Sequence, residues 1–319
     1  MEQEYQDQEY QDPVDGETTD GPDRFRPAEA AEAAASAPDC GCRGELRACG
    51  ERPGRDAPGL DPPTPSYVYV LGRIDFRFPS LSVEKEVAQN VGRAETEKLT
   101  DRQAVRAVIS QPENRYLARQ LCYVLSVQGI DTYLLRPRDP VELDLLIEAV
   151  RPEPRASDLD LVIGLRGPLA PPGLCNGLTI PVVTFDQIFS FDTGELVKAI
   201  ERPEQMSAED FEPASHDLLR RVMQLGDNAG DTDEHRALNY LAVRYPRIYQ
   251  KTVEAHAADA SLSAVGFCDS RLSGTRRIID VLFSYTSRRT DVTEKCFVRV
   301  DVTEEFPFLV TKLSPYYDR

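Results

Sequence analysis

The chain has no apolar run of the 18 to 20 residues that a bilayer-spanning helix needs, and Met1 is followed by Glu-Gln-Glu-Tyr rather than by a basic and then an apolar stretch. Neither a membrane span nor a secretion signal is expected, so the sequence reads as cytoplasmic. A basic stripe is also missing. Of the formal net charge of −17, Met1 to Ser66 contributes −10, from 16 Asp+Glu against 6 Lys+Arg. Such a balance repels phosphate backbones and anionic lipid, which excludes nucleic acid and membrane surfaces as expected partners. Only three histidines are present, leaving few general bases. Gly164-Leu-Arg-Gly167 lacks the G-x-G-x-x-G spacing, and Pro168, Pro171 and Pro172 leave no helix whose N-terminus would hold a phosphate. Its expected role is a rigid loop presenting Arg166 and Cys175.

What is there suffices for one large core or two modest ones, since 41% of 319 residues are hydrophobic. Residues 1–66 read as a disordered acidic tail, rich in Glu, Asp, Pro, Gly and Ala and repeating Glu4-Tyr-Gln-Asp7 as Glu9-Tyr-Gln-Asp12. Residues 67–200 read as an α/β subdomain. Tyr67-Val-Tyr-Val-Leu71 begins it as a strand, with Gly72 at a bend. Thr100 and Gln103 make a capping box for a short helix that stops before Pro112. A helix from Arg115 to Gln128 is expected next, with Ala118, Leu121, Cys122 and Leu125 on one face and Gly129 as its stop. A strand at Thr132 to Leu135 follows, then a helix capped by Asp139 with Pro140 in its first turn. Leu159 to Leu165 and Ile180 to Phe185 are runs of buried-strand type.

Residues 201–319 read as a helical plus antiparallel β subdomain. Helices are expected at Ser215 to Leu225 and Asp233 to Arg244, with Pro246 starting another that runs to Ala258. Ile279, Val281, Phe283 and Tyr285 alternate, as do Cys296, Val298, Val300 and Val302, the period of an antiparallel pair. The fold class is therefore α+β, a mixed α/β layer with a partly parallel sheet followed by helices and a C-terminal antiparallel β-meander.

The end of the chain, Asp301-Val-Thr-Glu-Glu-Phe-Pro-Phe-Leu-Val-Thr-Lys-Leu-Ser-Pro-Tyr-Tyr-Asp-Arg319, carries a resemblance. Together with Asn114-Arg-Tyr-Leu-Ala-Arg-Gln-Leu-Cys122, Val162-Ile-Gly-Leu-Arg-Gly-Pro168 and Leu174-Cys-Asn-Gly177 it resembles the C-terminal domain of unknown function of PatA and PatG, the cyanobactin maturation proteases. The resemblance runs from about Tyr67 to Arg319. It does not reach the family's protease and macrocyclase domains, so no Ser-His-Asp chemistry carries over. It implies a freestanding homologue in a pathway for a ribosomally synthesised, modified peptide, with a precursor peptide and pathway enzymes as partners. A homodimer is left open.

Seven cysteines argue for thiols or metal rather than a disulfide framework. Cys40, Cys42 and Cys49 place three thiols within ten residues, a spacing that suits a structural zinc, and Cys175 is the expected fourth ligand. Cys122 and Cys296 are expected to fill core positions. No catalytic residue is assigned. A peptide-binding face is expected on the 233–244 helix at Arg236, Tyr240 and Arg244, because Arg and Tyr combine contact area with directional donors. The alternative site is the meander's edge. The alternative function is a cyclisation or hydrolysis enzyme using His235, oriented by Asp233 or Glu234, or using a cysteine.

Overall fold

The computed structural model describes residues 66–92, 99–200, 202, 208–225 and 227–317. The cysteine cluster at Cys40, Cys42 and Cys49 lies outside the described residues. Strand β1 (Tyr67–Arg77) is followed by helices α1 (Leu81–Val91), α2 (Asp101–Ile109) and α3 (Arg115–Gln120). Then come strands β2 (Cys122–Val127) and β3 (Ile130–Pro137), helix α4 (Leu143–Ala149), strands β4 (Asp158–Leu169) and β5 (Pro181–Asp192), and helix α5 (Thr193–Ala199). These five strands close into a barrel in the order β1-β2-β3-β5-β4. The sheet is mixed, as expected: β3 and β5 run parallel, with Leu135 opposite Val183, and the other pairs are antiparallel.

Closure turns on Gly72. Residues 67–72 of β1 pair with β4, and residues 73–77 pair with β2, so the strand changes neighbours at the glycine. A Cβ there would stand 2.6 Å from the Ser126 carbonyl oxygen, closer than any side chain tolerates. The expected bend is thus a barrel corner, where only a glycine admits the neighbouring backbone.

The capping box of α2 forms as read, with the Thr100 hydroxyl accepting from the Gln103 amide at 3.3 Å. The helix expected over 115–128 does not form throughout. Leu121 is extended (φ −62°, ψ 149°), and the chain continues as β2. Val127 pairs with Ile130 across Gln128 (φ 51°) and Gly129 (φ 82°), so the glycine expected to end a helix instead completes a two-residue hairpin. Cross-strand burial of Tyr123 against Leu135 and Leu125 against Tyr133 outweighs helix propensity in the run Cys-Tyr-Val-Leu-Ser-Val.

Beyond the barrel, helices α6 (Ala208–Met223), α7 (Asp233–Arg244) and α8 (Arg247–Ala257) precede strands β6 (Ala260–Asp269), β7 (Ile278–Ser287), β8 (Thr293–Asp301) and β9 (Phe308–Pro315). The last four form an antiparallel sheet in sequence order. Its alternation is as read: Val281 faces Val298, Ile279 faces Val300 and Phe283 faces Cys296, all buried. Val68, Val70, Tyr123, Tyr133, Val162 and Phe185, drawn from all five barrel strands, join one apolar cluster with α1 to α4. The opposite faces of β1 and β4, through Tyr69, Leu71, Leu161 and Ile163, join a second cluster with α5 to α8 and the inner face of the β6–β9 sheet. Covered on both sides, β4 does not alternate from Leu161 to Leu165, and the one carboxylate just before that run, Asp160, is buried and held by the Ile74 amide, the Ser190 hydroxyl and Arg151.

Candidate functional site

Helix α7 carries every residue expected to bind peptide, and the structure separates them. Thr232 caps the helix, its hydroxyl accepting from the His235 amide at 3.2 Å, and Asp233 and Glu234 occupy the first turn. Arg236 is 1% exposed. Its Nη1 donates to the Val302 carbonyl at 2.8 Å, and its Nη2 donates to the carbonyls of Glu304 and Glu305. Its guanidinium lies 5.4 Å from the Tyr67 ring centroid and 3.5 Å from Asp233. Burial pulls its pKa down to about 10, with Asp233 opposing, so it stays charged at neutral pH. Arg236 therefore ties α7 to the 302–305 turn and is not on a surface.

Tyr240 is half-buried, edge-on to Tyr69 at 6.2 Å. Burial pushes the Tyr69 phenol up to about 12 against the pull of Arg244. Arg244 is exposed and sits 5.3 Å above the ring of Phe189, which is 39% exposed. Of the three residues read from sequence, Arg244 faces solvent, Tyr240 lines the seam behind it and Arg236 is enclosed. Phe189 escaped the sequence reading because it lies on β5, 55 residues before Arg244, and only barrel closure sets the two together.

His235 keeps a buried Nδ1 with no hydrogen-bond partner. Burial lowers its pKa against the opposing pull of Asp231, Glu234 and Asp227. No hydrogen bond joins its side chain to a serine or cysteine among the described residues. Asp231 in turn stands 3.6 Å from Arg166.

Cys175, the expected fourth zinc ligand, is bonded to Cys122 as a disulfide, with the two Cα atoms 6.0 Å apart. This corrects two expectations: Cys122 is not on a helix stripe, and the pair is not free thiol. With Cys122 opening β2, its side chain meets the 170–178 loop in a small cluster with Val124, Leu134 and Ala170. A cysteine so bonded has no thiolate to give a metal. Among the described residues no group of three or more His, Cys, Asp or Glu is placed to hold an ion.

One further group was missed in the sequence. Oδ2 of Asp186 on β5 and Oε1 of Glu305 are buried without a donor, yet the two carboxyls lie within hydrogen-bonding reach of each other. A proton held on Glu305 and donated to Asp186 satisfies both. Arg138 pairs with Asp186 at 2.5 Å. Burial first, then Asp186, raises the Glu305 pKa from 4.5 to about 7. Between those values the native state holds a proton that the unfolded chain has released, so stability falls as pH rises from about 4.5 to about 7 and levels above. Melting temperatures of wild type and Glu305→Gln across that window check this: the variant should show the shallower decline, and equal slopes would remove the pair as its source.

A five-stranded mixed barrel joined through α7 to a four-stranded antiparallel sheet defines the class of this molecule. The family model described as PatG C-terminal matches residues 205–316. A solved structure titled "PatG Domain of Unknown Function" has the same fold, with a TM-score of 0.63 and 19% identity, covering 79% of this chain and 98% of that one. A search of curated proteins finds no match. Residues 205–316 are thus similar to the PatG C-terminal family, as the sequence resemblance implied, and the fold is that of a PatG domain of unknown function. No helix of the described residues is long and apolar enough to cross a membrane.

Proposed function

We propose that the chain is a non-catalytic module of a cyanobactin-like pathway, one that binds the precursor or leader peptide, or the enzymes that modify it, and brings them together. The resemblance to the PatG domain supports the pathway. The observation that carries the binding role is the exposed Arg244 stacked on the exposed Phe189, with Tyr240 and Tyr69 behind them. An aromatic and guanidinium surface of this kind gives a peptide large contact area together with directional donors. Calorimetry with a co-encoded precursor should read a Kd of about 1 μM or tighter, near −8 kcal/mol, weakening with salt. Arg244→Ala should weaken it about tenfold, the scale of one charge-assisted contact. Binding that ignores both Arg244→Ala and Phe189→Ala would move the site elsewhere.

A second reading, a peptide-modifying enzyme, is favoured by the buried, unpartnered Nδ1 of His235. Mass spectrometry of the precursor incubated with this protein alone decides between the two. No mass change is expected, whereas a shift abolished by His235→Ala would make the protein an enzyme. A structural zinc on Cys40, Cys42 and Cys49 is proposed with a fourth ligand other than the disulfide-bonded Cys175. About one zinc per chain, largely lost in Cys42→Ser, is expected by elemental analysis. Metal-free protein of unchanged melting temperature would end that proposal.

A further inference from the structure

A cavity of about 420 Å³ opens between the end of α3, the start of β2, the end of β3 and the first turns of α4. Its floor is apolar: Leu121, Tyr123, Leu135, Leu143 and Leu146 line it, each 4% exposed or less. Its rim is cationic. Arg119, Arg136 and Arg138 line it, and no carboxylate does. The end of a helix is an ordinary place for a cation such as Arg119, the basic residue of the last turn of α3. That explanation does not extend to Arg136, which projects from a strand. Arg138 is engaged by Asp186 at 2.5 Å. Arg119 and Arg136 are exposed and form no side-chain hydrogen bond or ion pair among the described residues. Two guanidinium groups without a carboxylate partner among the described residues, beside a third already held by Asp186, around an apolar floor are an arrangement that an incoming anion relieves.

We propose that this notch binds an acidic peptide segment, whose carboxylates pair with Arg119 and Arg136 while an adjacent apolar side chain enters the Leu-lined floor. Charge complementarity selects the ligand class, since a guanidinium fork matches a carboxylate in two parallel hydrogen bonds. The floor adds the apolar requirement, and the volume, in the range of ordinary ligand pockets, holds a large apolar side chain together with the peptide segment around it. The exposed arginine side leaves the notch open to solvent, so a continuous chain can cross it. This reverses, locally, what the overall charge favours: a net negative protein attracts basic peptides at long range, yet here it presents a basic pocket. The site is separate from the Arg244 and Phe189 surface and does not depend on it.

Fluorescence anisotropy tests this on the full chain with three fluorescein-labelled, C-terminally amidated probes. They are Asp-Phe-Glu-Leu-Asp, its counterpart Lys-Phe-Lys-Leu-Lys, and Asp-Ser-Glu-Ser-Asp. The first should bind at least about tenfold more tightly than either of the others. Arg119→Glu and Arg136→Glu should each weaken it about tenfold, while Arg271→Glu, on an exposed loop elsewhere, should not. Unchanged melting temperatures would show that the variants fold. Equal binding of the acidic and basic probes, or indifference to Arg136→Glu, overturns the proposal. Running the precursor peptide in parallel separates the two ideas. A precursor that binds wild type and the Arg136→Glu variant alike leaves the binding module standing and this site rejected, provided the acidic probe also ignores the substitution. An acidic probe that loses affinity in that variant upholds the notch even if no precursor binds.

Discussion

Arg236→Met should lower the free energy of unfolding by about 3–5 kcal/mol, the cost of breaking a buried charge network from one side. The substitution keeps most of the side-chain volume but strips the donors from the carbonyls of Val302, Glu304 and Glu305. The buried Val302 carbonyl left without that partner costs about 1–3 kcal/mol, while the part-buried carbonyls of Glu304 and Glu305 can turn to water, so the loss exceeds what packing alone would give. Asp233 keeps Arg277, at 3.1 Å, which limits the damage on that side. Arg244→Ala, two turns further along the same helix, removes an exposed stack and a hydrogen bond to the Tyr69 phenol and should change stability by about 1 kcal/mol or less. Urea unfolding of both variants checks the contrast. Similar losses for the two would mean that Arg236 is not the clasp between α7 and the 302–305 turn.

Gly230→Ala is expected to be nearly as damaging, about 3 kcal/mol. Gly230 has φ +68°, and an added Cβ would stand 2.6 Å from both the Tyr69 carbonyl oxygen and Val70 Cα. The left-handed backbone costs a non-glycine residue about 1–2 kcal/mol, and forcing two backbones apart in a packed seam adds about 1–3 kcal/mol. The seam is tightly bonded: the Tyr69 amide donates to the Gly230 carbonyl at 2.8 Å, and Asn239 Nδ2 donates to the Tyr69 carbonyl at 2.9 Å. Asn239 is itself paired with Asn228, amide to amide, at 2.8 and 3.1 Å. Gly177→Ala provides the control. Gly177 has φ +86° but nothing within 4 Å of the added Cβ, so it should show the backbone cost alone. Thermal unfolding of the pair separates strain from collision, and equal losses would leave collision without a role.

Short-range signals carried much of the fold. The capping boxes at Thr100 and Asp139, the span of α7 from Asp233 to Arg244, and the alternation that pairs Val281 with Val298 are all set by chemistry within a few residues. The failure at Leu121 to Val127 is instructive because Ala118, Leu121, Cys122 and Leu125 do fall at helical spacing. A strand facing apolar groups on both sides leaves no period of two to read, and Gln128-Gly129 gives a turn signal as compatible with a helix end as with a hairpin. Only the partner strand β3 breaks that tie.

The candidate site divides along the same line. By itself the sequence determined that Arg236, Tyr240 and Arg244 share a helix, because a cap and a 3.6-residue period are local properties. Tertiary structure alone decided that Arg236 is enclosed by the 302–305 turn, that Arg244 meets Phe189, that Cys122 bonds Cys175, and that Arg119 and Arg136 share a rim. The physical reason is range. Whether a guanidinium is a core clasp or a surface donor depends on carbonyls, rings and charges contributed by segments 17 to 169 residues away, from Arg136 beside Arg119 to Tyr67 beside Arg236, and those distances are fixed only when the barrel closes and α7 packs on β1.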